Sequence, residues 1–122
     1  MPVELRAPVR LAEAFPDLVQ PMKEALDEGG ERNLAASVDE LQVYALCGCG
    51  DDFCGSFYTR DPANRQTRTI GLSRPPLAPF AVGVTDGGAI AFVEVIDADQ
   101  QTWAEFKQRY TALLRGASAG HE

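Results

Sequence analysis

The sequence predicts an α+β domain: N-terminal helices, an antiparallel meander of four or five strands, and a C-terminal helix packed on the sheet. Three observations predict it. Apolar residues recur at helical spacing in two stretches, 15–26 and 103–114. Between those stretches the pattern is extended instead, in 41–60, 66–72 and 80–97. Gly-, Asp- and Pro-rich segments punctuate these runs where a strand has to turn. A chain of 122 residues suits one domain and buries a core without disulfides or metal. That domain is expected over 1–116, with 117–122 as a flexible tail.

Residues 1–12 are interrupted by Pro2 and Pro8 and show no period; Val3, Leu5 and Val9 suit a short edge segment. Phe15, Leu18, Val19, Met22 and Leu26 then form a helical stripe. Pro16 suits the first turn, whereas Pro21 is expected to kink or restart the helix because it lacks an N–H. Gly29-Gly30 supplies the stop, and a short helix follows with Leu34 and Val38 inward.

The stretch 41–60, LQVYALCGCGDDFCGSFYTR, reads as a hairpin holding all three cysteines. Leu41, Val43 and Ala45 form the apolar alternate set, continued by Cys47 and Cys49. Matching Phe53 and Phe57 to that set requires an odd loop, which sends Cys54 to the opposite face. A bulge at Gly48 or Gly50 reverses that parity. A third strand is expected over Gln66–Leu72, with Ile70 inward and Arg68 exposed, then a rigid connection through SRPPLAP. VGVTDGGAIAFVEVID forms the next hairpin, its Asp-Gly and Gly-Gly tolerating the positive φ of a tight turn. This strand pair resembles the closing hairpin of many small bacterial domains of unassigned function, a resemblance that implies no activity. The final helix carries Trp103, Phe106, Tyr110, Leu113 and Leu114 on one stripe, with Thr102 and Glu105 spaced as a capping box.

Composition limits the function classes. A net charge of −7 opposes general nucleic-acid binding, which depends on neutralising phosphates, and favours solubility or a basic protein partner. No run of about 18 apolar residues is present, so no membrane partner is expected. The start MPVELRAPVRLAEAFPDL places charges and prolines where an export signal needs an apolar run, which predicts a cytoplasmic location. An odd number of cysteines then argues for reduced thiols.

Chemistry centres on the hairpin. Cys47, Cys49 and Cys54 are candidate zinc ligands, with the fourth from Asp51, Asp52 or His121. The spacing C-x-C-x4-C departs from paired C-x2-C knuckles. Thiol redox chemistry is disfavoured by Asp51 and Asp52, which oppose thiolate formation. The single histidine, His121, is two places from the end and poorly placed for a Cys–His or Ser–His pair. Glu94 interrupts the apolar set Ile90, Phe92 and Ile96 and, if buried, needs a partner such as Arg68 or a tyrosine hydroxyl. The reading that results is a small acidic binding or interaction protein without catalytic activity or cofactor, for example an inhibitor or immunity-type module, with Asp51 and Asp52 as partner-binding residues. The alternative is a zinc-binding or thiol-redox protein using Cys47, Cys49 and Cys54.

Overall fold

The computed structural model describes residues 2–47, 54–75 and 77–116. Strand β1 (Pro2–Arg10) leads into α1 (Leu11–Ala14), α2 (Pro16–Glu28), α3 (Arg32–Ser37) and a 3-10 turn (Val38–Glu40). Strands β2 (Gln42–Cys47), β3 (Phe57–Tyr58), β4 (Gln66–Leu72), β5 (Phe80–Thr85) and β6 (Ile90–Glu94) follow. A second 3-10 turn (Gln101–Trp103) and α4 (Ala104–Gly116) come last. The α+β class stands, with six strands rather than four or five. They form one antiparallel sheet in the order β1-β2-β3-β6-β5-β4. The meander is present as two halves, joined where Phe57 faces Val93 and Tyr58 faces Phe92.

The extra strand is β1. Its prolines hide the pattern but suit an edge, where half of the N–H groups face no neighbour. The pairing with β2 shifts between Glu4 and Val9, on either side of Pro8. Val3, Leu5 and Val9 pack on the core from this strand.

Pro21 neither ends nor restarts its helix, since α2 runs unbroken from Pro16 to Glu28. An interior proline costs about 3 kcal/mol. Leu18, Met22, Ala25 and Leu26 are buried on either side of it, and fully burying each large side chain returns about 1.5–3 kcal/mol. Gly30 ends this segment at φ 83°, a left-handed conformation that glycine adopts without penalty.

The core gathers around Phe15. Its ring lies 4.9 Å from Phe57 and 4.5 Å from Phe106, centroid to centroid, and 6.5 Å from Tyr110. Helices α1, α2 and α4 thereby close on the same face of the sheet.

Register shows which face that is. Val3, Leu46, Phe57, Val93, Val82 and Ile70 are successive partners across all six strands, and each lies in the core or packs against it. The adjacent row is Glu4, Ala45, Tyr58, Phe92, Gly83 and Thr69. It points away from the helices. Tyr58 and Phe92 are half-buried there, their rings tilted at 53° with centroids 4.7 Å apart.

This register corrects the expected hairpin parity. Phe57 lies opposite Leu46, and Ala45 lies opposite Tyr58, so an even number of residues separates the paired Leu46 and Phe57. Leu46 takes the core position assigned to Ala45 because burying the larger side chain removes more apolar area from water. Val43 also reaches the core, and this break of alternation accompanies the register shift in β1. Two smaller corrections concern the apolar stripes. Leu114 is 40% exposed rather than part of the packed stripe, and Ile96 is 56% exposed.

Candidate functional site

Of the hairpin residues assigned to chemistry, Cys49, Asp51 and Asp52 lie outside the described residues, as does His121. Among the described residues no three His, Cys, Asp or Glu side chains gather around one point. Cys47 and Cys54 are half-buried. Both stand close enough to Tyr58 to act on it: burial pushes its phenol up first, and the Cys47 and Cys54 thiolates push it further. The even pairing of Leu46 with Phe57 removes the separation of Cys47 from Cys54 that an odd loop imposes.

Backbone bonds fix this end of the hairpin to α4. The Tyr110 hydroxyl donates toward the Cys47 and Ser56 carbonyls, at 3.1 and 3.0 Å. Lys107 Nζ donates to the Cys54 carbonyl at 3.4 Å. On the β6 side, the Val95 N–H donates to Ser56 Oγ at 3.0 Å. Gly55 is buried between these contacts, where a Cβ would sit 2.6 Å from Phe106 Cε2.

Glu94 lies opposite Ala81, half-buried on the outer face. Its expected partner Arg68 instead forms two bonds to Glu31, each of 3.2 Å. The other ion pairs among the described residues, Lys23–Asp39, Arg32–Asp27 and Arg74 with Glu24 and Glu28, also lie on or beside α2 and α3.

On the helical side a cleft of about 470 Å³ opens between the start of α2 and the start of α4. Its apolar surface comes from Phe15, Leu18, Leu77, Trp103 and Phe106, and its charged groups are Asp17, Glu105 and Arg109. Local sequence explains how each arrives. Pro16 begins α2 with a preset φ, which puts Asp17 in the first turn, where the helix dipole favours a carboxylate. After β6 the chain turns at Asp97, whose φ of 63° is tolerated by aspartate. The Gln100 N–H closes that turn on the Asp97 carbonyl at 2.9 Å. The 3-10 turn then inserts Trp103 and delivers Glu105 into the first turn of α4.

Thr102 and Glu105 do not form the expected capping box. Thr102 sits inside the 3-10 turn, which has no side-chain cap. Glu105 meets Asp17 across the cleft mouth, and the hydrogen bond between the two carboxyl groups raises its pKa above the ordinary 4.5. Repulsion from Asp17 and some desolvation act in the same direction, against the opposing charge of Arg109.

Trp103 forms the inner wall, only 1% exposed. It packs edge-on to Phe80 at 5.7 Å and to Phe106 at 5.2 Å. Its Nε1–H is buried without an acceptor among the described residues, an omission that costs about 1–3 kcal/mol.

Sequence reasoning placed Phe15, Trp103 and Phe106 in the core, where they lie, but did not see that they also line a cleft. The available signal was the pair of first-turn acids after Pro16 and Thr102, which only the packing of α2 beside α4 brings together. Comparison with protein-family models, curated proteins and solved structures gives no match.

Proposed function

We propose that this chain is a small binding protein without catalytic activity and that its ligand occupies the cleft between α2 and α4. The observation that carries this reading is the cleft itself. It joins a continuous aromatic and aliphatic surface to a few charged groups at the mouth, the composition typical of ligand pockets, and its size falls in the range of about 300–1,000 Å³ seen for them. A net charge of −7 draws cationic partners toward it, in keeping with a basic partner of an inhibitor or immunity-type module. Asp17 and Glu105 are poorly suited to general-acid work, because both side chains are exposed, where nothing holds a carboxylic acid neutral at pH 7.

The test is titration of isotopically labelled protein with 2-phenylethanol, a neutral probe of the right size. Saturable shifts confined to Leu18, Leu77, Phe106 and the Trp103 indole N–H support the cleft. Shifts elsewhere, or none, remove it.

The even pairing across the hairpin, which removes the expected separation of Cys47 from Cys54, favours a second reading, a thiol or zinc site completed by Cys49. Native alkylation with and without a chelator tests it. Joint protection released by the chelator supports metal; equal labelling in both conditions removes it.

A further inference from the structure

Apart from the cleft, we propose that the β4 edge of the sheet is an interaction surface and that its occupant is a second copy of this chain, paired antiparallel in a weak two-fold dimer.

The strand order leaves two edges, β1 and β4. An edge strand presents unpaired N–H and C=O groups on its outer side, a template for another strand unless something blunts it. Strand β1 is blunted along its length. Pro2 and Pro8 withhold donors, Glu4 and Arg6 carry charge, and the pairing with β2 shifts between Glu4 and Val9. Strand β4 contains no proline. Its one irregularity lies at its start, between Gln66 and Arg68, and from Arg68 to Leu72 its pairing with β5 runs unbroken. Its single charged side chain, Arg68, is neutralised by Glu31 through two bonds of 3.2 Å.

Charge says which strand fits this edge. Just past its end, Arg74 donates to Glu24 at 2.9 Å and to Glu28 at 2.5 Å. One guanidinium against two carboxylates leaves that end negative. Just before its start, Arg65 is exposed and bonded to no described residue, Asp86 of the adjoining turn included. The Arg68–Glu31 pair between them is neutral. The edge therefore runs from positive to negative, and a copy laid against it in the opposite direction meets each charge with its complement. An acidic strand would suit Arg65 but be repelled by Glu24 and Glu28.

Opposed residues of an antiparallel pair share a face. A two-fold axis at Ile70, the middle of the unbroken stretch, places Arg68 opposite Leu72 of the second copy. It brings Arg65 beside that copy's Arg74, Glu24 and Glu28. The two Ile70 side chains, each half-buried on the helical face, cover one another at the axis. A single strand pair falls below the roughly 1,200 Å² of a standard interface, so the dimer is weak. Each chain carries a net charge of −7 and repels its copy at long range. At about 0.15 M salt that repulsion is screened beyond about 8 Å, whereas the paired groups are in contact.

The experiment is sedimentation equilibrium of the full chain from about 5 to about 500 µM, in reducing buffer at about 0.15 M salt. Amide hydrogen exchange is measured at both ends of that range. A reversible dimer is expected, with exchange slowed at the higher concentration in β4 and unchanged in β1. Arg65→Glu reverses two symmetry-related contacts at once and should weaken the dimer about tenfold. Arg65→Glu/Glu28→Arg should recover most of that loss, which no merely structural effect of either change produces. A monomer at every concentration overturns the proposal. So does a dimer that Arg65→Glu leaves unchanged, or one that protects β1 in place of β4. If Glu28→Arg unsettles the fold, the exchange pattern of the unaltered chain decides between the two edges.

Discussion

The cleft lies on the helical face of the sheet and the described hairpin residues lie within or beside its strands, and α4 braces both. At its start α4 builds the cleft from side chains, with Trp103 and Phe106 packed among other rings. One and two turns later it holds the hairpin through main-chain carbonyls, with Lys107 and Tyr110 as donors. The difference teaches where each region is sensitive. The cleft depends on ring volume; the hairpin depends on backbone position, and its outward residues are open to change.

The largest expected break in that comparison comes from Trp103→Ala. Removing the buried indole should cost about 3–5 kcal/mol in denaturant unfolding. Phe92→Ala, on the outer face, breaks only the ring pair with Tyr58 and a half-buried contact, and should cost about 1 kcal/mol. Equal losses would show that both faces are core. Gly55→Ala comes between the two, because its new methyl group meets both Phe106 and the Ala98 Cβ, the latter at 3.1 Å. Overpacking of this kind should cost about 1–3 kcal/mol, and loss of 2-phenylethanol affinity would register that the hairpin and the cleft are mechanically joined.

Two finer variants sharpen the comparison. Trp103→Phe keeps most of the aromatic wall and removes the unsatisfied donor, so its thermal midpoint should stay far closer to wild type than that of Trp103→Ala. A loss as large as the alanine variant's would mean that Nε1–H has a partner after all. Glu105→Gln should be the mildest. A carboxyl whose folded pKa is raised contributes stability that is present below 4.5 and is lost as pH rises through the raised value. The glutamine variant should lose that dependence and equal or exceed wild type at neutral pH. Glu24 runs the other way, its pKa lowered by Gln20 and then Arg74; its contribution is present above the ordinary value and fades on acidification. Thermal melts from pH 3 to about pH 8 distinguish the two slopes.

How much of this was legible in the sequence follows the range of the interactions. Periodicity in α2 and α4 found Phe15, Leu18, Met22, Trp103, Phe106 and Tyr110, because a helix places its own neighbours within a few residues. The strand β1 was obscured by Pro2 and Pro8, whose cost depends on whether the strand is an edge. Hairpin parity failed because Ala45 and Leu46 are both apolar, and the choice between them is made by Phe57 and the sheet beyond it. The cleft was least legible. Asp17 and Glu105 are 88 positions apart in number, and nothing local announces that their helix N-termini converge.

The two-residue strand β3 has a kinetic consequence. It pairs the three-stranded halves at Phe57 and Tyr58, flanked by bonds from the Gly55 N–H to Val95 and from the Thr59 N–H to Ala91. Strands β4, β5 and β6 are sequence neighbours, whereas pairing β3 with β6 closes the chain from Phe57 to Val93 and pairing β1 with β2 closes it from Val3 to Leu46, separations whose entropy must be met before the contacts repay it. These two closures should therefore set the folding rate. Phe57→Leu at the junction should slow refolding, and Ile70→Val on the outlying β4 should mainly hasten unfolding, a contrast that stopped-flow chevrons measure directly.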